Sequence, residues 1–195
     1  MNNIELFPIL IKHVKHFLDM DECNSLIDIV KVQNFKEHLS LRGAARSSHF
    51  DSFRNSFLNG VDFFKTRLNE LIYEYCVELS INPNSVVLSN SWINIQEPKS
   101  KLDFHVHPKS IISGVLYIKV DCNSSKLVLM NPNPHSLYSN YFISSNGNSK
   151  YNNQFYRIVP QIGDLILFPS WLSHGSGEEN FSDQRIVLSF NVDLK

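Results

Sequence analysis

The residues of this chain whose types and spacing best suit chemistry are two histidines in the run Phe104-His105-Val106-His107-Pro108. In an extended strand, residues i and i+2 point to the same side, about 6.5 Å apart. Both imidazoles can therefore converge on one point, as the ligands of a metal ion must. A His-x-His pair at the end of a strand is also often just a polar edge. A metal site therefore requires a third ligand elsewhere in the chain.

The candidate for that third ligand is His174. It follows a turn at Gly163, a short apolar run and the corner Pro169-Ser170-Trp171. Several predicted strands separate it from His107, and in a jelly roll such a separation can return the chain beside its start. His105, His107 and His174 are therefore the candidate metal ligands.

Arg185 opens the last predicted strand, in which polar and apolar residues alternate. Successive side chains of a strand point to opposite faces, so Arg185 shares one face with Ser189, while Ile186 and Leu188 occupy the other. We expect the apolar face to pack against N-terminal helices and the Arg185 face to point inward. A buried guanidinium requires an anion, and its fork suits a carboxylate. An ordinary salt bridge to a protein Asp or Glu is the alternative.

Two helices and a series of short strands must position these residues. An acidic start at Asp19 and apolar residues at helical spacing predict a first helix, and residues 61–79 predict a second. The polar segment 34–60 is predicted to be either a loop over the cavity or merely a long connection, and 131–153 a long hairpin or mobile flap. Short strands separated by turns predict a mainly β sandwich or jelly roll: 86–96, 101–107, 113–120, 126–130, 138–144, 155–160, 164–169, 171–175 and 184–192.

Length and composition favour one globular domain, with residues 1–85 supporting a β core at 86–195. The chain has 195 residues, 43% hydrophobic residues and a formal net charge of −1, which gives no basic surface for nucleic acid. Its three cysteines are widely spaced, so neither a disulfide framework nor a zinc knuckle is expected. The absence of a long apolar run argues against a membrane segment. A cytoplasmic protein is expected, in the cytoplasm of a host if a phage encodes it.

Four stretches of the sequence, taken in order, resemble a known family. These are residues 104–108, 113–117, 167–174 and 185–191. They resemble the 2-oxoglutarate- and iron(II)-dependent oxygenases of bacteria and phages, over residues 91–192. The resemblance implies a double-stranded β-helix, a cupin-like jelly roll with helices behind one sheet.

The resemblance also implies roles for individual residues. His105, His107 and His174 would hold Fe(II), and Arg185 would pair with the far carboxylate of 2-oxoglutarate. Tyr117 and Ser189 would contribute hydroxyl contacts to the cosubstrate. Four further residues on inward strand faces are expected to line the cavity: Trp92, Asn94, Gln96 and Ser113.

The sequence departs from the general pattern of such oxygenases at His107. Two histidines and one carboxylate, arranged His-x-Asp and a distant His, commonly bind the iron. Here an imidazole stands at the carboxylate position. Asp103 lies two residues before His105, on the same strand face, and offers an alternative carboxylate. Both ligand sets stay open, with the three-histidine set favoured.

The resemblance predicts an oxygenase that hydroxylates its substrate and releases succinate and carbon dioxide. A small molecule or an amino-acid side chain would serve as substrate, and no nucleic-acid or membrane partner is expected. Two alternatives remain at the level of sequence. One is a cupin-like three-histidine metalloprotein that does not use 2-oxoglutarate. The other is a non-enzymatic β-sandwich, such as a binding or virion protein.

Overall fold

The structure is a computed structural model that describes residues 7–52, 56–133 and 153–195. The predicted strand at 138–144 lies outside the described residues. So does most of the predicted loop at 131–153. The other predicted elements can be compared with the structure directly.

The two predicted helices lie in the N-terminal part of the chain, before residue 86. Helix α1 spans Met20–Lys31 and begins at Asp19, whose side chain accepts a hydrogen bond from the backbone N–H of Glu22. The Glu22 side chain accepts in return from the N–H of Asp19, which completes a capping box. Helix α2 spans Lys65–Glu78. Of the helices in the described ranges, none has the length and apolar character that crossing a bilayer requires.

The strands of the described residues form two sheets that face each other and a short ribbon. They span β1 Lys12–Val14, β2 Leu41–Arg42, β3 Ala45–Ser47, β4 Val86–Gln96, β5 Lys101–Leu102, β6 Ile112–Lys119, β7 Leu127–Met130, β8 Phe155–Ile158, β9 Leu165–Pro169, β10 His174–Gly175 and β11 Arg185–Leu194. The larger sheet has the order β1-β9-β6-β11-β4-β3, the smaller has the order β10-β7-β8, and β2 pairs with β5 in the ribbon. All pairings between these strands are antiparallel.

Alternation along the central strands divides the apolar residues between two cores. On β11, Ile186, Leu188 and Phe190 join the core that packs the larger sheet against α1 and α2. Val187 of the same strand belongs to a second core between the two sheets. The predicted orientation of β11 is therefore correct, and Arg185 lies on the face that looks between the sheets.

Residues 34–60 differ from the predicted loop. They contain β2 and β3, and β3 extends the larger sheet by pairing Ala45 with Gln96 and Ser47 with Asn94. These strands are too short to show a periodic hydrophobic pattern, and their pairing partners lie far away in sequence. The segment is thus an edge of the sheet rather than an unattached cover.

Gly114 on β6 tests how tightly the helix-side core is packed. A Cβ added there would lie 2.1 Å from the ring of Phe190, a side chain that is 1% exposed. We expect Gly114→Ala to lower the free energy of unfolding by about 1–3 kcal/mol, because the ring must shift within a packed core. Urea unfolding measures the change. Gly60→Ala is the matched control, since nothing lies within 4 Å of a Cβ there, and an equal loss in both variants would contradict the interpretation.

Candidate metal centre and anion pocket

The structure brings together the three histidines that the sequence singled out. One nitrogen from each of His105, His107 and His174 lies within 4.8 Å of the other two. The ring centroids of His105 and His174 are 4.3 Å apart. Within the described ranges, these three histidines form the one group of three or more His, Cys, Asp or Glu side chains whose ligand atoms are close enough together to hold a metal ion.

Backbone hydrogen bonds tie the two histidine-bearing segments to each other. The N–H of His105 donates to the carbonyl of His174, and the N–H of His174 donates back, each at 3.0 Å. The N–H of His107 donates to the carbonyl of Ser170 at 3.0 Å. Gly175 permits this close approach, because a Cβ there would lie 2.8 Å from the carbonyl oxygen of Leu102. The relative position of the imidazoles is therefore set by main-chain pairing.

Two of the imidazoles are also oriented by their second nitrogen. Nδ1 of His105 lies 2.9 Å from the carbonyl oxygen of Asp103, and Nδ1 of His174 lies 2.8 Å from that of Leu172. A carbonyl oxygen only accepts hydrogen bonds, so each Nδ1 carries the proton. Each Nε2 is then left with its lone pair, which is the state in which histidine binds a metal.

The alternative ligand Asp103 is engaged elsewhere. Its Oδ2 accepts a hydrogen bond from Nε of Arg42 at 2.6 Å. Its backbone carbonyl, rather than its carboxylate, serves the site by holding His105. The geometry therefore favours the three-histidine group over one that contains Asp103.

Arg185 lies in the same cavity, deep between the sheets. It is 4% exposed, and its Cζ is 5.2 Å from the centre of the Tyr117 ring. Its guanidinium donates to Oε1 of Gln96, yet none of the ion pairs among the described residues involves it. The Nε of Arg185 and the hydroxyl of Tyr117 are buried without a hydrogen-bond partner within the described ranges. The expected salt-bridge alternative is therefore absent from that part of the chain.

The remaining predicted residues lie around the same cavity, which reaches from the histidines to Arg185. Nδ2 of Asn94 lies 3.4 Å from Oγ of Ser189. Oγ of Ser113 contacts Oγ of Ser170 at 2.8 Å and Oδ1 of Asn191 at 3.0 Å. The residues predicted to contact the cosubstrate or to line the cavity all do line it: Trp92, Asn94, Gln96, Ser113, Tyr117, Arg185 and Ser189.

Sequence reasoning missed a second group of rings at the cavity, contributed by residues 38–49. The ring of His49 lies 4.8 Å from that of His38 and 4.6 Å from that of Trp92. Trp92 in turn lies 5.7 Å from His107. Nδ1 of His38 is 2.8 Å from Oγ of Ser40. The irregular spacing of these residues carries no motif, and only the pairing of β3 with β4 brings them to the site.

Comparison with known proteins identifies the family of this chain. Residues 90–191, slightly more than half of the chain, match the family described as "Putative 2OG-Fe(II) oxygenase". The chain belongs to this oxygenase family. The matched region contains the three histidines and Arg185. Among curated proteins, none matches this chain.

Solved oxygenase structures share the fold of this family member. HygX from Streptomyces hygroscopicus, solved with nickel and 2-oxoglutarate bound, superposes with a TM-score of 0.64 at 9% identity, over 96% of this chain and 84% of that one. A prolyl-4-hydroxylase from Pseudomonas putida gives 0.59 at 14% identity, over 95% and 92%. The viral collagen prolyl hydroxylase of Paramecium Bursaria Chlorella virus-1 gives 0.57 at 14%, over 93% and 94%. The predicted double-stranded β-helix is confirmed.

The site of this oxygenase suits Fe(II) and 2-oxoglutarate. Three imidazoles converge at one end of the cavity, and imidazole is a good ligand for iron. A buried guanidinium without an acidic partner in the described residues stands farther along it, where a dicarboxylate would supply the missing charge. Iron and 2-oxoglutarate therefore fit the donor groups of this chain.

Burial keeps the histidines of the site uncharged. It lowers the pKa of His107 to about 3, helped by His105 and His49, and it lowers the pKa of His49 to about 4. Burial also lowers the pKa of His38 and of His105. The pKa of His174 is well below its usual value, again because of burial. The neutral form that binds a metal is thus the form present at neutral pH.

These pKa values predict how the stability of the metal-free oxygenase depends on pH. Below pH 6.5 the unfolded chain binds protons that the folded histidines do not yet accept. The free energy of unfolding should therefore fall as the pH drops from 6.5 towards about 4. Urea unfolding with a chelator, at several pH values in that range, measures the loss. His49→Asn should reduce the slope, and a flat profile for the wild type would contradict the prediction.

Proposed function

We propose that this oxygenase hydroxylates its substrate while converting 2-oxoglutarate to succinate and carbon dioxide. The observation that carries the proposal is Arg185, a buried cation that has no acidic partner in the described residues and shares a cavity with three convergent histidines. An unpaired buried charge destabilises the fold. Its presence here is explained if an anionic ligand pairs with it. When bound together, iron, 2-oxoglutarate and oxygen supply the oxidation of an unactivated C–H bond.

Each residue of the cavity has a role in this proposal. His105, His107 and His174 would hold the iron through their Nε2 atoms or, for His107, one of its ring nitrogens. Arg185 pairs with the far carboxylate of 2-oxoglutarate, so that the keto acid end is directed towards the histidines. The buried hydroxyl of Tyr117 donates a hydrogen bond to the same carboxylate, and Ser189 contributes a further hydroxyl to the cavity wall.

The neutral imidazole of His107 in the place of a carboxylate gives the site one negative charge fewer than a site with two histidines and a carboxylate. A metal ion held by three imidazoles keeps its full positive charge, which strengthens its attraction for the anionic cosubstrate. The electrostatic consequence is a site that depends on 2-oxoglutarate for its charge balance at both ends, at the metal and at Arg185.

The substrate approaches, in our proposal, along the wall formed by His38, His49 and Trp92. Among the described residues that line the cavity, no Asp, Glu or Lys appears, and Arg185 is committed to the cosubstrate. Neutral imidazoles present hydrogen-bonding nitrogens and no charge. The part of the substrate that reaches the metal is therefore uncharged and polar, such as an amide or a hydroxyl, on a small molecule or an amino-acid side chain.

The structural neighbours differ in what they bind or modify. HygX has been solved with hygromycin B bound. The prolyl hydroxylases are named for an uncharged side chain, so the proposal places the substrate of this chain nearer to theirs.

The alternatives without 2-oxoglutarate leave Arg185 unexplained. A cupin-like enzyme that uses only the three histidines has no need of a buried guanidinium. A non-enzymatic β-sandwich has no need of convergent imidazoles with their Nδ1 atoms already engaged. Membership of the oxygenase family also favours the first proposal over both.

Replacing Arg185 tests the use of 2-oxoglutarate. Anaerobic addition of Fe(II) and 2-oxoglutarate to the wild type should produce a visible charge-transfer band, and aerobic incubation should release succinate. Arg185→Leu should weaken 2-oxoglutarate binding by a factor of about 10–100, since a charged hydrogen bond contributes about 1.5–3 kcal/mol. Arg67→Leu on α2, whose guanidinium pairs with Glu22 on the surface, is the control. A wild type that shows neither band nor succinate would exclude the proposal.

The ligand set is tested by comparing His107 with Asp103. We expect His107→Ala to lose stoichiometric Fe(II), because one of three ligands is gone, and Asp103→Asn to retain it. Metal analysis after gel filtration under anaerobic conditions measures the stoichiometry. His16→Asn, an exposed histidine of the N-terminal segment, controls for nonspecific binding. Loss of iron in Asp103→Asn with retention in His107→Ala would instead support the set that contains Asp103.

A further inference from the structure

We propose that Gln96 is a second binding residue for the far carboxylate of 2-oxoglutarate, and that its amide oxygen serves Arg185 as a substitute acceptor when the carboxylate is absent. The inference rests on the proposed function and adds to it a residue that discriminates between 2-oxo acids.

Strand pairing brings Gln96 directly beside Arg185. The two residues are opposite each other across β4 and β11, and Ala45 of β3 pairs with Gln96 from the other side. The backbone carbonyl of Gln96 accepts from the side chain of Asn180 at 3.2 Å. Gln96 is 1% exposed and lines the cavity that contains the histidines. Its side chain is therefore held at the Arg185 end of that cavity.

The chemistry of the pair determines which amide atom faces Arg185. A guanidinium only donates hydrogen bonds, so it is Oε1 of Gln96 that contacts Nη1 of Arg185. The amide nitrogen, Nε2, is left buried without a partner in the described residues. A buried donor without an acceptor destabilises the fold. The position of Nε2 is explained if a bound ligand supplies the acceptor.

Three groups that can donate hydrogen bonds are left without partners at this end of the cavity. Besides Nε2 of Gln96, they are Nε of Arg185 and the hydroxyl of Tyr117. Tyr117 pairs across the sheet with Val187, two residues from Arg185, and its ring faces the guanidinium. A carboxylate has two oxygens with about four lone-pair positions and the negative charge that Arg185 lacks. The far carboxylate of 2-oxoglutarate can satisfy both the donors and the charge.

A glutamine meets both requirements better than a glutamate would. A glutamate at position 96 would neutralise Arg185 permanently and repel an incoming carboxylate. An apolar residue would leave the buried guanidinium without the acceptor that it has in the absence of ligand. The amide stabilises Arg185 without cancelling its charge, and it offers a donor of its own to the ligand.

The experiment compares two ligands that differ in the far carboxylate. 2-Oxoglutarate carries it, whereas 2-oxobutyrate keeps the keto acid and lacks it. Affinities for both are measured by calorimetry on nickel(II)-loaded protein, and Tm is measured on the metal-free protein. The variants are Gln96→Glu and Gln96→Leu. The matched control is Gln184→Glu, next to Arg185 in sequence but hydrogen-bonded to Glu97.

We expect Gln96→Glu to lose about tenfold or more in affinity for 2-oxoglutarate. Its affinity for 2-oxobutyrate should stay within about twofold, and its Tm should equal or exceed that of the wild type because Arg185 gains an anion. Gln96→Leu should lose about fivefold or more for 2-oxoglutarate alone, with a lower Tm. Gln184→Glu should change neither affinity.

Three results would overturn the role of Gln96. One is wild-type affinity for 2-oxoglutarate in both variants. The second is an equal loss of affinity for both ligands, and the third is a lowered Tm of Gln96→Glu; either of these indicates a structural role. Failure of the proposed function is distinct from these results, because there the wild-type protein itself would not prefer 2-oxoglutarate to 2-oxobutyrate.

Discussion

The reciprocal backbone pairing of His105 with His174 is the interaction on which the site depends. Two hydrogen bonds of 3.0 Å join segments that are distant in sequence, and a third holds His107 to Ser170. These main-chain hydrogen bonds bring the three imidazoles together without a metal ion. Gly175 is part of the same constraint, since a side chain there would force the two segments apart. The result is a preorganised set of neutral imidazoles rather than a set that the metal must assemble.

The second constraint is the buried charge of Arg185. Most buried arginines pair with an acid, which lowers the cost of desolvation. Here an amide and an aromatic ring lie beside the guanidinium, and no Asp or Glu among the described residues forms an ion pair with it. Burial lowers the pKa of Arg185, and Tyr117 offsets part of that shift. The cavity has an unpaired positive charge at its Arg185 end and imidazole lone pairs at its histidine end. With a metal bound to the histidines, both ends are complementary to the two carboxylates of 2-oxoglutarate.

Much of the fold followed from local patterns. The acidic start at Asp19 and the spacing of apolar residues in α1 and α2 predicted both helices, and β4 was predicted with its observed ends. Alternation along β11 correctly assigned Ile186 to the helix-side core and Arg185 to the interior. The strands β2 and β3 were missed, since two or three residues cannot display a period. With them were missed His38 and His49, whose proximity to the site arises from sheet pairing alone.

By itself, the sequence determined the candidate ligands, the inward arginine and the class of fold, because these depend on residue type, on the period of two along a strand and on motif order. It left open whether Asp103 or His107 faces the other histidines, since both lie on the same face of the strand. Only the tertiary structure decided where the Asp103 carboxylate goes: it pairs with Arg42 of β2, a strand that is distant in sequence. Tertiary pairing likewise placed Gln96 against Arg185. Contacts of this kind depend on sheet order and register, which no local pattern in a single chain encodes.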